Sequence, residues 1–451
     1  MSSTRRFIPI LLAILAIGGN PKKIPPCLSQ TLDSRIAAAS AKSDSTPDIR
    51  RETFDIVWRT VKEKHFDPTF GGVNWDKVRQ DYLTRLDAVK NDMELYTLLQ
   101  QMLGELHESH FAIIPPENVL DNESREARGE IGVDIRAIEG QMVITRVKAG
   151  SSAEKAGLKP GFGLVRVGGA AVGAIIERVA KTKQSESLKP LYETRAVLSR
   201  VNGDPGTNVK ILYQDGENEP HEITIERTEI KDEMSEAIGN FPAQFFEFEA
   251  KRLRGGIGYI RFSIFVPAIR ERVVNAIRSM SNAPGIIFDL RGNPGGLGAL
   301  ASGIAGLLET SDTSLGKMQM RVGFQNFAVF HQPSPYRGRV VVLIDELSAS
   351  TSEVMAAGLQ AIHRATVVGT PSAGAALPSF FQKLPTGALF QYAIADFRTP
   401  DGTLIEGRGV HPNIVVKLSR STLLRGEDSQ LEGGIDQLLK PAAVLPGKRA
   451  A

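Results

Sequence analysis

The sequence contains only one cysteine, Cys27, and only seven histidines in 451 residues. A single cysteine cannot form a disulfide within the chain or a cysteine-based zinc site. The histidines are scattered and form no His-Glu-x-x-His motif, so we expect no metal and no cofactor. The formal net charge of +3 is small, and no basic run is interleaved with aromatic residues. We therefore expect no nucleic-acid partner.

Long apolar runs are scarce as well. The run near the N-terminus covers residues 7–19 and follows Arg5 and Arg6. It is too short to span a bilayer comfortably, and its length is typical of a signal-peptide core. We predict that residues 1–27 form a signal peptide or anchor, that residues 28–46 are a linker, and that the protein is exported, to the periplasm or outside the cell. An anchor that is not cleaved remains the alternative, and it would hold the chain at a membrane.

Apolar residues then recur at helical spacing in three successive segments. This spacing predicts an N-terminal helical domain over residues 47–118. The apolar positions are Phe54, Val57, Trp58, Val61, Trp75, Val78, Tyr82, Leu95, Leu98, Leu99, Met102, Leu103 and Leu106.

Short β-branched runs replace the helical pattern in the next part of the chain. Residues 129–135 read GEIGVDI, and residues 151–161 read SSAEKAGLKPG. The first string resembles the carboxylate-binding loop and following strand of PDZ domains, and the second is similar to another part of that family's pattern. The resemblance implies a β-rich, PDZ-like domain over residues 129–230 that binds an extended peptide. We expect its peptide-binding residues to be Ile131, Gly132 and Val133.

From residue 254 to residue 420, apolar strands alternate with helical segments. Such alternation predicts a mostly parallel sheet covered by helices, with ligand sites beyond the carboxyl ends of the strands. A glycine-rich turn, residues 291–296, and a serine-rich turn around Ser350 both follow apolar strands. We assign an α/β core to residues 254–420, and a C-terminal helix and tail to residues 421–451.

Ser350 precedes a predicted helix. Backbone N–H groups at a helix N-terminus favour negative charge, which suits a serine nucleophile that must form an oxyanion. The structural alternative is a capping box between Ser350 and Glu353, and such boxes are usually not catalytic. The turn alone leaves both interpretations open.

Four longer strings carry a family resemblance. They are GIGYIRFSIF, GIIFDLRGNPGG, VVVLIDELSASTSEVMAAGLQAIHRATVVGTPSAG and RTPDGTLIEGRGVHPNIVV. They resemble the C-terminal processing (tail-specific) proteases, a family of serine peptidases, and the similarity extends from about residue 51 to residue 440. The resemblance implies a ClpP/crotonase-like α/β core with an N-terminal helical domain and an inserted PDZ-like domain. It also implies a serine endopeptidase or C-terminal processing peptidase, a hydrolase acting on protein or peptide substrates, and it leaves open a homo-oligomer.

The chain departs from the common Ser–Lys pattern of that family. Ala375 stands where the family has its catalytic lysine, and Ser379 stands where it has an assisting glutamine. Another branch, similar to the tricorn protease core, uses a histidine preceded by serine and a glutamate further along the chain. Ser109, His110 and Glu406 match that branch.

The resemblance therefore implies that Ser350 is the nucleophile and His110 its base, supported by Ser109 and Glu406. A histidine with its ordinary pKa of ~6.5 would give activity that rises with pH between ~6 and ~7.5. The implied oxyanion-hole residues are Gly295, Gly296 and Thr351. The competing bases are His107 and His411, and the competing nucleophiles are Ser348 and Ser352.

Two functions without catalysis remain open at this point. Interphotoreceptor retinoid-binding protein resembles the same family and carries apolar ligands, so a non-catalytic carrier of apolar ligands or peptides is the main alternative. A scaffold that only senses peptides through the PDZ-like region is the other. Both alternatives predict binding without turnover.

Overall fold

A computed structural model describes residues 44–119, 128–181 and 185–440. The predicted signal or anchor segment and nearly all of the linker therefore lie outside the described residues, as does the tail beyond residue 440. Within the described ranges, no helix has both the length and the apolar character needed to cross a membrane.

Three helices and a short strand form the N-terminal part. Each helix starts behind a capping side chain, because Thr46, Asn74 and Asn91 each accept a backbone N–H from the first turn. The apolar faces of the helices pack against one another and against Leu377 and Phe390 of the later core. The elements are α1 (Pro47–Lys64), α2 (Trp75–Leu86), α3 (Asp92–Gly104) and β1 (Ala112–Ile114).

The next part is a β-rich unit with its own apolar core, which includes Ile135, Ile144 and Val197. Its main sheet is antiparallel with the order β3-β4-β5-β7-β8, so β3 lies at one edge. The elements are β2 (Gly129–Glu130), β3 (Val133–Ile138), β4 (Gln141–Val147), α4 (Ser152–Lys155), β5 (Gly163–Val167), β6 (Ala170–Ala171), α5 (Val172–Ala180), α6 (Lys189–Val201), β7 (Asn208–Gln214), β8 (Pro220–Glu226) and β9 (Thr228–Glu229).

The remaining elements form an α/β core, which confirms the predicted alternation of strands and helices. Its central sheet has the order β12-β13-β14-β17-β18-β22, parallel except for the β12–β13 pair. The elements are β10 (Glu233–Met234), β11 (Phe245–Phe246), β12 (Phe248–Arg252), β13 (Gly258–Phe262), α7 (Ile269–Ser279), β14 (Gly285–Asp289), α8 (Gly298–Gly306), β15 (Thr313–Met320), β16 (Phe324–Val329), β17 (Arg339–Ile344), α9 (Thr351–Ala361), β18 (Ala365–Gly369), β19 (Ser379–Lys383), β20 (Leu389–Ala393), β21 (Ala395–Arg398), β22 (Ile414–Val415), α10 (Arg420–Leu424) and α11 (Ser429–Leu439).

The apolar run of β17 is continuous because both faces of the central sheet are covered. Val340 and Val342 pack into a cluster with residues of α7, α8 and α9. Val341 and Leu343 point the other way and pack against α11. The carboxyl ends of β14 and β17 lie side by side, since these strands are parallel neighbours. The glycine-rich and serine-rich turns therefore leave the same edge of the sheet.

Strand β1 joins the N-terminal helices to the core. It pairs antiparallel with β20, with Ala112 opposite Gln391 and Ile114 opposite Leu389. His110 lies only two residues before this pairing starts. The N-terminal helices thus end at a fixed position beside the core, and the histidine is held there.

Candidate active site

Ser350 occupies a strained turn between β17 and α9. Its backbone has φ 56° and ψ −119°, a left-handed conformation that costs energy for any residue with a Cβ. Two acceptors hold its amide: the Ala375 carbonyl at 2.8 Å and Oε2 of Glu353 at 3.0 Å. The side chain is half-exposed at the start of α9. A sharp strand-to-helix turn of this kind is the way a nucleophilic serine is presented in other hydrolase folds.

The two competing serines have structural contacts instead. Ser348 Oγ donates to the Leu290 carbonyl at 2.8 Å, and Ser352 Oγ donates to the Asn293 carbonyl at 2.9 Å. Both side chains are fully buried. They tie the serine-rich turn to the glycine-rich turn, and neither is accessible to a substrate.

The glycine-rich turn lies directly against Ser350. A Cβ on Gly295 would stand 2.6 Å from Ser350 Cβ, and a Cβ on Gly296 would stand 2.3 Å from the Phe265 carbonyl oxygen. Both glycines have positive φ, 101° and 123°. A side chain at position 295 would push the two turns apart, and one at position 296 would collide with the Phe265 backbone, so only glycine fits at either position.

One of the three expected oxyanion donors already has an acceptor. The Gly295 N–H already donates to Oδ1 of Asn293 at 2.9 Å. The amides of Gly296 and Thr351 have no acceptor among the described residues. Of the three expected donors, these two are therefore the free ones.

His110 belongs to a chain of hydrogen bonds that runs through Ser109 to Glu406. His110 Nδ1 lies 2.7 Å from Ser109 Oγ, and Ser109 Oγ donates to Oε2 of Glu406 at 2.9 Å. The Ser109 backbone N–H donates to Oε1 of the same carboxylate at 2.8 Å. When Glu406 is ionised, the Ser109 hydroxyl gives its hydrogen to the carboxylate and must accept one from His110 Nδ1. This arrangement leaves the Nε2 lone pair of His110 free to accept a proton.

Two adjacent alanines connect the histidine to the serine. The Ala375 carbonyl accepts the Ser350 amide at 2.8 Å, and the Ala376 amide donates to Oε2 of Glu406 at 2.8 Å. The backbone of Ala375 and Ala376 thus holds the Ser350 turn on one hand and the Glu406 carboxylate on the other. The side chains of the competing bases His107 and His411 are exposed. Within the described residues, neither ring forms a hydrogen bond, and the His411 carbonyl accepts from Gln360.

Burial dominates the electrostatics of the site. Burial, followed by the positive charge of Arg195, lowers the pKa of His110 to about 4. His110 is therefore neutral at physiological pH, and its own titration lies below the range expected from the sequence. Burial also raises the pKa of Glu406 to about 7, against the hydrogen bonds from Ser109 and Ala376 that lower it.

Glu353 is the buried acid that sequence reasoning treated only as a cap. Its side chain is 0% exposed, and its carboxylate accepts from Ser372 Oγ at 2.6 Å and from the amides of Gly374 at 2.8 Å and Ala375 at 2.9 Å. With the bond from Ser350, it anchors the nucleophile turn to the neighbouring segment. Burial raises its pKa to about 7. The signal in the sequence was a single acid, Glu353, directly followed by the apolar run VMAAGL.

The β-rich unit also reaches this site. Arg136 on β3 forms a buried ion pair with Asp345, with Nε to Oδ2 at 2.6 Å. Asp345 in turn accepts the backbone amides of Gly292 at 2.8 Å and Leu347 at 3.1 Å. One carboxylate thus joins the edge strand, the glycine-rich turn and the serine-rich turn.

The residues expected to bind a peptide lie at the start of that edge strand. The carbonyls of Ile131 and Gly132 accept amides of Ala153 and Lys148, and Val133 pairs with Val147 on β4. Ile131 is buried, and Gly132 has φ 82° with Ser151 packed against it. In the sheet as described, the other side of β3 has no strand neighbour.

Comparisons with known proteins show similarity to peptidases. The sequence profile of peptidase family S41 matches residues 256–416, and that of the tricorn protease C1 domain matches residues 47–104. A relative named carboxyl-terminal-processing protease, from Synechocystis sp., is 28% identical over 398 residues, which are 86% of each chain. Carboxyl-terminal-processing peptidase 3, chloroplastic, from Arabidopsis thaliana is 25% identical over 403 residues, 86% of this chain and 72% of the relative.

A solved structure, the photosystem II D1 C-terminal processing protease, shares the fold. It aligns with a TM-score of 0.57 and 22% identity, over 87% of this chain and 98% of that one. At this identity the likeness speaks for the fold alone. The sequence matches and the fold point to the same class of protein.

Proposed function

We propose that this chain, a hydrolase whose residues 256–416 match peptidase family S41 and whose relatives are named carboxyl-terminal-processing proteases, cleaves peptide bonds of protein or peptide substrates with Ser350 as nucleophile and His110 as base. The observation that carries the proposal is the hydrogen-bonded chain from His110 through Ser109 to Glu406, connected to the Ser350 turn through Ala375 and Ala376.

In the first step, Ser350 Oγ attacks the scissile carbonyl carbon while its proton passes to Nε2 of His110. The Nδ1–H of His110 continues to donate to Ser109 Oγ. The positive charge that forms on the imidazole therefore lies next to a hydroxyl that donates to the Glu406 carboxylate. Such support holds the ring in one tautomer and stabilises its charged form. Ser109 and Glu406 are thus positioning residues.

The negative charge on the carbonyl oxygen would be held by the free amides of Gly296 and Thr351. The Thr351 amide belongs to the first turn of α9, where the helix dipole also favours negative charge. When the C–N bond breaks, His110 returns the proton to the leaving amine. Water then attacks the acyl carbon and loses a proton to His110. His110 passes this proton to Ser350 Oγ as the ester C–O bond breaks and the carboxylic acid product leaves.

The β-rich unit is, in our proposal, a PDZ-like domain that captures the substrate chain, and the core is of the ClpP/crotonase type. In support, β3 is an edge strand, and α6 lies beside it. An extended peptide can add to such an edge. Relatives are named for carboxyl-terminal processing, and we propose the same reaction here, on exported proteins. The export signal, residues 1–27, remains a prediction from the sequence.

A carrier or scaffold without catalysis is not favoured. The match to peptidase family S41 over residues 256–416 and the relatives named as proteases point to an enzyme. Such a protein would also have no use for a strained, half-exposed Ser350 beside two free amides.

The test is covalent labelling with a fluorophosphonate, followed by peptide mapping. Label on Ser350, together with loss of peptide hydrolysis on the order of 10⁶ in Ser350→Ala, would support the proposal. Thermal unfolding of the variant should match that of the wild type. Activity above a tenth of the wild-type rate in Ser350→Ala would mean that another nucleophile operates.

A further inference from the structure

Arg195 is a charged residue of the β-rich unit without a visible partner. It lies in the middle of α6, and its side chain is exposed. Within the described residues, its guanidinium makes no hydrogen bond and no ion pair. Most arginines elsewhere in the structure have a carboxylate or carbonyl partner, for example Arg136 and Arg227. Arg178 is likewise unpaired within the described residues, so the position of Arg195 is what distinguishes it.

The packing of α6 places Arg195 at the active site. Leu188 and Leu191 pack in one cluster with Leu347 and Ala349, the residues just ahead of Ser350. Leu188 is the N-cap residue of α6, and Leu191 and Arg195 are four residues apart within it, so these two share one face of the helix. Arg195 therefore lies about one helical turn beyond Leu191, which contacts the nucleophile turn, and on the same face of α6.

The electrostatics agree with this position. Burial lowers the pKa of His110, and the positive charge of Arg195 lowers it further. Burial raises the pKa of Tyr192; the charge of Arg195 acts against this rise, and Glu406 adds to it. Burial is the main cause that lowers the pKa of Arg195 itself, although solvent reaches the side chain.

A lone positive charge beside the base works against catalysis, because it disfavours the imidazolium that forms when Ser350 loses its proton. A bound anion would cancel this effect. Guanidinium forms two parallel hydrogen bonds with a carboxylate, which is the negatively charged group that polypeptides carry.

We propose that Arg195 binds a carboxylate of the substrate close to the scissile bond, and that it thereby selects substrates with an acidic group at that position. The carboxylate is either the α-carboxylate of a chain end or the side chain of an aspartate or glutamate. This inference rests on the proposed peptidase function. Bound there, the carboxylate both anchors the substrate and removes the charge that opposes His110.

The experiment compares matched peptides on the full chain. One peptide is made as the free acid and as the C-terminal amide, and a second, amidated series carries glutamate or glutamine at single positions around the cleaved bond. A preference for the free acid would identify the α-carboxylate, and a preference for glutamate would identify a side chain. We expect the wild type to favour one acidic peptide by about 10- to 100-fold in kcat/KM.

In Arg195→Gln this ratio should fall to near 1, and in Arg195→Glu a peptide with lysine at the selected position should become the better substrate. Arg178→Gln on α5 removes the same charge from another exposed position and should keep the wild-type ratio. A ratio near 1 in the wild type, or an unchanged ratio in Arg195→Gln, would overturn the inference. If the wild type cleaves none of the peptides, the proposed function itself fails, and this inference with it.

Discussion

Removing the Ser109 hydroxyl, with Ser109→Ala, should slow peptide cleavage without much change in substrate binding. Ser109 Oγ lies 2.7 Å from His110 Nδ1 and 2.9 Å from Oε2 of Glu406. The side chain is 2% exposed, so water cannot easily replace the hydroxyl. In the variant, Nδ1 would lose its acceptor, and Glu406 would keep only the amides of Ser109 and Ala376.

The size of the effect follows from when the bond matters most. The hydrogen bond from Nδ1 strengthens as the imidazole becomes charged, and a hydrogen bond to a charged group contributes about 1.5–3 kcal/mol. Loss of this contribution in the transition state corresponds to about a 10- to 150-fold fall in kcat. Removal of the base itself should cost on the order of 10⁶. Ser109→Ala should therefore lie clearly between the wild type and His110→Ala.

Steady-state kinetics on a fluorogenic peptide would measure this, with KM expected to stay within about threefold because Ser109 does not touch the substrate. Ser235→Ala is the matched control, because Ser235 is another buried serine. Its hydroxyl bonds only to the Glu236 carbonyl and the Gln244 amide, and to none of the relay residues. A kcat for Ser109→Ala equal to that of the wild type would refute the relay. A kcat as low as that of His110→Ala would mean that Ser109 does more than position the ring.

Three further outcomes are expected. His110→Ala should remove nearly all turnover of a peptide, whereas Lys383→Ala, at an exposed position of β19, should keep most of it; the reverse result would move the base to the lysine. Cleavage should increase as pH rises through about 7, because Glu406 then loses its proton and becomes able to accept the Ser109 hydroxyl; a pH–rate profile whose midpoint is unchanged in Glu406→Gln would assign the titration to another group. Deletion of residues 129–227 should abolish cleavage of short peptides as well as proteins, because it leaves the buried Asp345 without its ion pair; an active deletion variant would show that the β-rich unit only delivers substrate.

Local pattern was enough to predict much of the framework. The β-branched run before Ser350 and the glycine-rich turn after β14 each indicate where a strand ends. Parallel strands bring such ends to the same edge of a sheet. The matched strings around Ser109, His110 and Glu406 lie almost 300 positions apart in sequence, and the structure places Ser109 within hydrogen-bond distance of both others. The resemblance supplied this association, since spacing alone could not.

Features that depend on tertiary burial were not predictable in the same way. Nothing local shows that the Gly295 amide turns towards Asn293, or that Glu353 is enclosed by backbone amides. The pKa values of His110 and Glu406 shift because other parts of the chain exclude water from them. The strings that resemble a PDZ domain indicated a self-contained insert, and they gave no sign of the Arg136 ion pair to Asp345.

The surroundings of Ala375 argue for our proposal that the base comes from another part of the chain. Its side chain is 4% exposed and packs with Leu188 and Leu347, while its amide and carbonyl are taken by Glu353 and Ser350. A lysine there would have to bury its ammonium group in an apolar cluster, which carries a large desolvation penalty unless a partner is supplied. The nearby acid, Glu353, already accepts four hydrogen bonds that fix the nucleophile turn. With this segment committed to structure, we assign the proposed proton transfer to His110, which lies two residues before β1 and is linked to the Ala376 amide through Ser109 and Glu406.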